Sequence, residues 1–429
     1  MTNLAVLLIM FFVLAALGLP IAAALGVTSV FVAVFLQDTR LAIIAQRVFS
    51  GIDSFPLLAI PLFVFAGKAM NAGGTTDRIV TFCNALVGHL RGGLAQINVL
   101  ASMFFGGISG SAVADTSSIG GILIPAMNKE KYNPAFSSVV TAFSSVIGPI
   151  IPPSITMVVY GITTGASIRQ LFIAGAVPGV LFGLGLMVLV AWIAYREDLP
   201  RATRLSWREK LRSLRDVVWA LGMPVIIIGG VVSGVFTVTE SAAIAAAYAV
   251  IAGVLIYKGI DSIAKFYEIV ASSAVLVASI MIVIATAQLY SWLLVINHAP
   301  TVLSALILSI TDNPVIVLLL INVLFIIIGM FIEANAAIVI FVPVFWPLAA
   351  QFGIDIIHFG IIVVINLGLG LVTPPVGLCL HLANKIAGCN LYDSLRVAKW
   401  FFVVGLALLI AVTYWEPLIL FLPELVGLR

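Results

Sequence analysis

Two short stretches of this chain interrupt hydrophobic sequence that is otherwise long enough to cross a lipid bilayer. Residues 106–115 read GGISGSAVAD and residues 148–154 read GPIIPPS, so glycine and proline break the helical backbone there. Their side-chain oxygens come from four residues: Ser109, Ser111, Asp115 and Ser154. Since every backbone polar group must be satisfied within a membrane, such stretches are buried in protein or line an aqueous cavity.

A second pair of interrupted stretches lies in the other half of the chain. Residues 329–335 read GMFIEAN and residues 368–377 read GLGLVTPPVG. A shift of 222 positions superimposes the pairs residue by residue: Gly107 on Gly329, Ser111 on Glu333, Gly148 on Gly370, Ile151 on Thr373, Pro152 and Pro153 on Pro374 and Pro375. Internal repeats with broken helices are typical of secondary transporters, and we favour inverted repeats because midplane sites are usually built that way.

Composition places the whole chain in a membrane. Of its 429 residues, 62% are apolar and 9% are charged, whereas soluble domains contain about 25% charged residues. Apolar runs of about 20 residues recur along the chain, without the alternation of a transmembrane barrel. The net charge of +3 gives no indication of nucleic-acid binding. We therefore predict an all-α polytopic protein embedded in a lipid bilayer.

Short apolar arms joined by polar tips predict two re-entrant helical hairpins, each followed by a broken helix. The first repeat, residues 1–195, is expected to hold a hairpin at 93–127 and a broken helix at 134–164. The second repeat, residues 217–429, is expected to hold a hairpin at about 314–350 and a broken helix at 358–387. Each repeat also contributes scaffold helices.

A basic connector joins the two predicted repeats at residues 196–216. Seven of the chain's 21 basic residues lie in it: Arg196, Arg201, Arg204, Arg208, Lys210, Arg212 and Arg215. Short basic loops stay on the cytoplasmic side of a membrane, so we expect this connector to be cytoplasmic.

The sequence argues against an enzyme and against a channel. It contains no Walker A motif, so the chain does not hydrolyse ATP to drive transport, and it contains no nucleophile–base constellation. Its three cysteines have no metal-ligand spacing and indicate no disulfide framework. A channel needs a continuous polar lining, whereas the polar residues cluster at two breaks. A transporter is the remaining class.

The intramembrane polar residues each have two possible roles. Asp115 and Glu333 would cost about 2.5–3.5 kcal/mol each on insertion scales, so they either serve function or cap the second hairpin arm. Ser109, Ser111 and Thr373 either bind an ion or bond back to helix carbonyls. Arg47 either pairs with a substrate carboxylate or flanks a span on the cytoplasmic side.

Unwound backbone at both breaks suggests what is carried. Residues 148–153 and 370–375 present carbonyl oxygens that proline prevents from completing a helical ladder, and sodium prefers oxygen ligands. The half-helix N-termini across each break attract anions. These two features favour cation-coupled transport of an anion.

Three motifs together resemble the large membrane subunit of the tripartite ATP-independent periplasmic (TRAP) transporters: SFPLLAIPLF at 54–63, GGISGSAVAD at 106–115 and PPS at 152–154. The resemblance covers essentially the whole chain. It implies a sodium-coupled, elevator-type transporter in the bacterial inner membrane, carrying carboxylates such as sialic acid or C4-dicarboxylates. It also implies two partners, a small membrane subunit and a periplasmic substrate-binding protein.

The same resemblance implies two Na⁺ sites and a substrate site. The first Na⁺ site would use Ser109, Ser111 and carbonyls of Gly148, Ile151 and Pro153. The second Na⁺ site would use Gly329, Glu333, Gly370, Thr373 and Pro375. The substrate would lie between the hairpin tips, near Asp115 and Asn335, with Arg47 as a further candidate. The alternative is a sodium/anion symporter that needs no binding protein.

Overall fold

The computed structural model describes residues 2–201 and 204–428. Within those residues the chain forms α-helices and short π or 3-10 turns, with no β-strand. The helices are α1 (Thr2–Ala16), α2 (Ile21–Phe31), α3 (Leu41–Ser50), α4 (Ala59–Ala72), α5 (Thr75–Val87), α6 (Gly93–Ser109), α7 (Ala112–Lys129), α8 (Pro134–Ser145), α9 (Ile155–Thr164), α10 (Ile168–Arg196), α11 (Trp207–Ser233), α12 (Val238–Ile251), α13 (Ile263–Ile296), α14 (Ala299–Ile310), α15 (Pro314–Phe331), α16 (Ala334–Gln351), α17 (Ile356–Gly370), α18 (Leu378–Ala387), α19 (Leu391–Tyr414) and α20 (Pro417–Leu425). The all-α prediction is confirmed.

Eight segments of the described residues are long and apolar enough to cross a membrane, judged by length and composition. They include α10, with 29 residues, and α13, with 34 residues. A helix rises about 1.5 Å per residue, so each exceeds the roughly 30 Å of a hydrocarbon core. The prediction of a polytopic membrane protein is confirmed.

The first hairpin consists of α6 and α7, which pack against each other. Its turn is short because Gly110 adopts a left-handed conformation, with φ of 60°, that a side chain would disfavour. Ser111 then begins α7 as its N-cap, where its hydroxyl oxygen accepts a hydrogen bond from the Ala114 N–H at 3.5 Å. The predicted tip is therefore a helix end followed directly by a helix start.

Each predicted broken helix is two helices separated by an unwound segment. In the first half, α8 ends at Ser145 and α9 begins at Ile155. In the second half, α17 ends at Gly370 and α18 begins at Leu378. Residues 152–153 and 374–375 are proline pairs, which cannot supply the backbone donors that a continuous helix needs. These breaks confirm the element types expected from the sequence.

The spacing of 222 residues also relates the helix ends. The second arm of the first hairpin spans Ala112–Lys129, and its counterpart spans Ala334–Gln351, with 18 residues in each. Their N-caps are Ser111 and Glu333. Asn133 caps α8 and Asp355 caps α17, again at the same spacing. The two halves therefore repeat the same succession of helix ends.

Elements of the two halves interleave. Helix α18 packs on α7 and α8 of the first half, while α9 packs on α16 and α17 of the second half. Around this unit, α4 packs on α12 and α13, α2 and α3 pack on α13, and α5 packs on α11. The hairpins and broken helices therefore form a single interleaved unit, whose contacts with the other helices include α4, α5, α10, α13 and α19.

The basic connector is partly helical, which the sequence analysis did not anticipate. Helix α11 begins at Trp207 rather than after residue 216, because Ser206 and Glu209 form a reciprocal capping box. The Ser206 N–H donates to the Glu209 carboxylate at 2.7 Å, and the Glu209 N–H donates to the Ser206 hydroxyl oxygen at 3.3 Å. Positions 202–203 of the connector, and the outermost limits 1 and 429 of the predicted repeats, lie outside the described residues.

Candidate transport site

The tips of both hairpins line one cavity of about 680 Å³. The first tip contributes residues 109–114, and the second contributes residues 333–336. The opposite wall comes from α4 and α13, through residues that include Phe63 on α4 and Ile280 on α13. The prediction that a site lies between the two tips therefore corresponds to an actual space in the structure.

Four helices begin at this cavity. The lining includes Ala112 at the start of α7, Ile155 at the start of α9, Ala334 at the start of α16 and Leu378 at the start of α18. The first turn of a helix has free N–H groups and a partial positive charge of about 0.5 elementary charge. The Glu333 carboxylate already caps the start of α16, so an anion in the cavity would be stabilised by the other three helix ends, those of α7, α9 and α18.

Residues of the predicted first Na⁺ site lie together where the first tip meets the first break. A Cβ placed on Gly110 would lie 2.6 Å from the Pro153 carbonyl oxygen, and one placed on Gly148 would lie 3.5 Å from the Ser111 carbonyl oxygen. The Ser109 hydroxyl lies 3.4 Å from the Ser111 backbone nitrogen. Hydroxyl and carbonyl oxygens of tip and break thus come close together.

The carbonyl groups of the first break remain available. Among the described residues, no hydrogen-bond donor reaches the carbonyl oxygens of Gly148, Ile151 or Pro153. By contrast, the Pro149 carbonyl accepts a hydrogen bond from the Ser154 hydroxyl at 2.6 Å. Oxygens without hydrogen-bond donors are the groups that a hard cation can use as ligands.

The predicted second Na⁺ site is built differently. Gly329 and Gly370 bring tip and break into contact, since a Cβ on Gly370 would lie 2.5 Å from the Gly329 backbone. However, the Gly370 carbonyl accepts a hydrogen bond from the Thr373 N–H at 3.0 Å, and the Thr373 hydroxyl donates to the Leu369 carbonyl at 2.6 Å. Pro375 is exposed within the break. This region therefore offers fewer free oxygens than its counterpart.

Glu333 is a helix cap that also lines the cavity. Its carboxylate accepts hydrogen bonds from the N–H groups of Asn335 and Ala336, at 2.9 and 3.3 Å, and from the Asn335 side-chain amide at 2.8 Å. The capping role considered for Glu333 is thus present. A carboxylate keeps further lone pairs after such bonds, so capping leaves room for an ion contact.

The structure places two of the three predicted substrate residues away from the cavity lining. Asp115 is fully buried on the first turn of α7, beside Ser102 and Ser145. Asp115 follows the lining residues 111–114 in sequence, but it does not itself line the cavity. Arg47 lies on α3, and its guanidinium stands over the Trp292 ring, 5.1 Å from the ring centroid. Asn335 alone of the three lines the cavity.

The sequence analysis did not single out the cavity residues of α4. Lys68 and Asn71 lie three positions apart on this helix and both line the cavity. The Asn71 side-chain amide donates to the Ser118 hydroxyl of α7 at 3.3 Å, so it joins α4 to the hairpin. A lysine inside the apolar segment 59–72 was the available signal, because intramembrane charges usually face cavities.

Comparison with known proteins agrees with this structure. Residues 8–418 match the family described as the tripartite ATP-independent periplasmic transporter, DctM component. The chain is 36% identical to the sialic acid TRAP transporter large permease protein SiaM of Vibrio cholerae, over 95% of each protein. It is 38% identical to the C4-dicarboxylate TRAP transporter large permease protein DctM of Pseudomonas aeruginosa, over 94% of each protein. Both are named as transport permeases, which confirms the prediction that the chain is not an enzyme.

A solved structure shares the fold. The crystal structure of the Alcanivorax borkumensis YdaH transporter superimposes with a TM-score of 0.61, over 88% of each chain, at 15% sequence identity. At that identity the similarity concerns the fold alone. Given the family match over nearly the whole length and the high identity to several large permeases, this chain belongs to the DctM component family of TRAP transporters.

Proposed function

We propose that this chain is the large permease of a tripartite transporter that imports a small carboxylate across the bacterial inner membrane together with Na⁺. The observation that carries the proposal is the cavity between the hairpin tips, onto which four helix N-termini open. A carboxylate lying there would be stabilised by the positive ends of α7, α9 and α18, since the Glu333 carboxylate already caps α16. Relatives named for sialic acid and for C4-dicarboxylates supply the two candidate substrate classes.

Sodium would bind where each tip meets its break. In the first site, hydroxyl oxygens of Ser109 and Ser111 would join carbonyl oxygens of the break at residues 148–153. In the second, Glu333 and Thr373 would take part with the break at residues 370–375. A cation next to an anionic substrate offsets its charge in a medium of low polarity, which couples the binding of the two.

Transport would follow an elevator mechanism with inverted repeats. The interleaved hairpins and broken helices would move as one body past the helices that include α4 and α13, carrying the substrate between the tips. A small membrane subunit would hold the surrounding helices in the bilayer, and a periplasmic binding protein would deliver the substrate. Both partners are proposed from membership of the family.

Uptake into proteoliposomes tests the sodium sites. Ser111→Ala removes a hydroxyl at the first site, and Thr373→Ala removes one at the second, so we expect both to require more Na⁺ for half-maximal uptake. We expect the loss of one oxygen ligand to raise that Na⁺ concentration roughly tenfold, which corresponds to about 1.4 kcal/mol of binding free energy. Ser272→Ala, on an exposed face of α13, is the matched control. Unchanged sodium dependence in both variants would reject these sites.

Omitting the binding protein tests the tripartite assembly. The proteoliposomes contain the chain with its small membrane subunit, and uptake is measured with and without the periplasmic binding protein. We expect uptake only when the binding protein is present. Equal uptake in both conditions would favour the symporter that acts alone.

A further inference from the structure

We propose that the Lys68 ammonium group binds the carboxylate of the transported substrate, and that this single basic side chain selects a monocarboxylate bearing hydroxyl or amide groups over a dicarboxylate. The inference rests on the proposed function and deepens it, since it separates the two substrate classes. It depends on the position of Lys68, on the charges around the cavity and on the polar groups of its lining.

The position of Lys68 follows from close packing of its neighbour. Gly67 lies against the end of α6, because a Cβ on Gly67 would be 3.4 Å from the Ile108 carbonyl oxygen and 3.7 Å from the Ser109 Cα atom. Helix α4 therefore touches the tip of the first hairpin at residue 67. The next residue, Lys68, lines the cavity beside that tip.

Lys68 is the one basic residue among those that line the cavity, and Glu333 is the one acidic residue. The Glu333 carboxylate is already hydrogen-bonded to the start of α16, whose positive end it caps. Within the described part of the chain, Lys68 forms neither an ion pair nor a hydrogen bond. A charge inside a membrane segment is costly unless it faces a cavity or a partner, and an anionic substrate would supply that partner.

The rest of the lining favours a substrate with neutral polar groups. Its polar side chains are hydroxyls and amides, contributed by Asn71, Ser109, Ser111, Ser117, Ser118, Thr156, Ser279 and Asn335. Such groups donate and accept hydrogen bonds with substrate hydroxyls and amides. Both substrate classes would share the proposed sodium ions, but a second ionised carboxylate would find no second basic side chain in this lining. An unpaired charge is costly in a largely apolar space. One basic side chain therefore matches one carboxylate.

Binding to the purified chain together with its small subunit tests this inference. The complex is placed in nanodiscs with sodium, and its thermal stabilisation is titrated with gluconate, N-acetylneuraminate and succinate. We expect at least one of the two monocarboxylates to bind more tightly than succinate. Lys68→Gln should weaken that binding at least about tenfold, as expected for loss of a hydrogen bond to a charged group. Lys68→Arg should restore most of it.

Control variants and outcomes separate the two proposals. Lys265→Gln, on α13 and outside the cavity lining, should bind like the unsubstituted chain. If succinate binds most tightly, or if Lys68→Gln binds as well as the unsubstituted chain, the assignment of Lys68 is overturned while carboxylate transport stands. If none of the three compounds stabilises the unsubstituted complex and none is taken up with sodium, both proposals fail together.

Discussion

In each half of the chain, two glycines set the distance between the hairpin tip and its break. A Cβ on Gly106 would lie 3.0 Å from the Gly148 Cα atom, and a Cβ on Gly329 would lie 3.1 Å from the Gly370 Cα atom. Such distances are shorter than ordinary van der Waals contacts, so any larger residue must push the two backbones apart. The same kind of contact occurs in both halves, where the tip oxygens meet the break oxygens.

Gly370→Ala should destabilise the protein and raise the Na⁺ concentration needed for half-maximal uptake. The added methyl group would meet backbone rather than a flexible side chain, and overpacking of this kind costs about 1–3 kcal/mol. Thermal unfolding of the purified chain in nanodiscs measures the loss, and uptake across a sodium series measures the effect on the site. Gly121→Ala, on the same kind of helix but with open space around it, is the control. Equal melting temperatures for the two variants would contradict the contact.

At the level of single residues, the sequence identified helix breaks better than side-chain directions. Ser109, Ser111, Glu333 and Asn335 line the cavity as expected, because a break and a polar residue can both be recognised locally. Asp115 does not, because successive residues of a helix point about 100° apart, so its side chain faces away from the lining residues Ala114 and Ser118. Which face of a helix meets a cavity depends on the packing of other helices, and that information is not local.

The first break is held by one side chain that forms two hydrogen bonds. Ser154 is fully buried, its hydroxyl donates to the Pro149 carbonyl at 2.6 Å, and its oxygen accepts from the Met157 N–H at 3.2 Å. It therefore closes the first break and begins α9 at once. In the second half the corresponding start of α18 is made by Gly377, whose φ of 49° lies in the left-handed region.

Ser154→Ala should destabilise the first break. It leaves the Pro149 carbonyl and the Met157 N–H without their partner in a buried place, at a cost of about 1–3 kcal/mol. The measurement is the melting temperature of the purified complex, together with the sodium concentration for half-maximal uptake. Ser309→Ala loses an exposed hydrogen bond of similar geometry on α14 and should change neither quantity. A melting temperature equal to that of Ser309→Ala would show that the hydroxyl is dispensable.

Among the helices, the sequence predicted the type of each element in the core more reliably than its limits. Long apolar runs and proline pairs are strong local signals, so both hairpins and both broken helices were recognisable. The start of α11 was missed, although Ser206 and Glu209 have the spacing of a capping box. A cluster of basic residues was interpreted as a loop, whereas arginine and lysine are good helix formers.

At the scale of the whole molecule, the Asn71–Ser118 hydrogen bond spans the boundary between α4 and the interleaved core. Its donor and acceptor atoms are 3.3 Å apart. If the core moves during transport, this boundary must slide. A cross-link between residues 71 and 118 would therefore hold the core in the position that this structure shows.

The double variant Asn71→Cys with Ser118→Cys should therefore be inhibited by mercuric ion. It is made in a background in which Cys83, Cys379 and Cys389 are replaced by alanine, because these are the free thiols of the chain. We expect Hg²⁺ to stop uptake in the double variant and dithiothreitol to restore it. Each single-cysteine variant is a control and should continue to transport. Uptake that persists after bridging, verified by mass spectrometry, would contradict movement along this boundary.

The arrangement of the halves was the least predictable property. The offset of 222 residues indicated that the motifs repeat, yet nothing in it indicated that α18 packs on α7 and α8, or that α9 packs on α16. Such contacts join residues at least 170 positions apart, and periodicity within one helix carries no information about them. The cavity exists because of these contacts, so its lining could not be deduced residue by residue.

The constant offset between the halves has a consequence for insertions and deletions. From the hairpin cap to the glycine at the break, the count is the same in both halves, running from Ser111 to Gly148 and from Glu333 to Gly370. One extra residue within α7 or α16 would rotate everything beyond it by about 100° around the helix axis. Length changes should therefore be tolerated at residues 197–205, between α10 and α11, and rejected throughout both cap-to-break intervals.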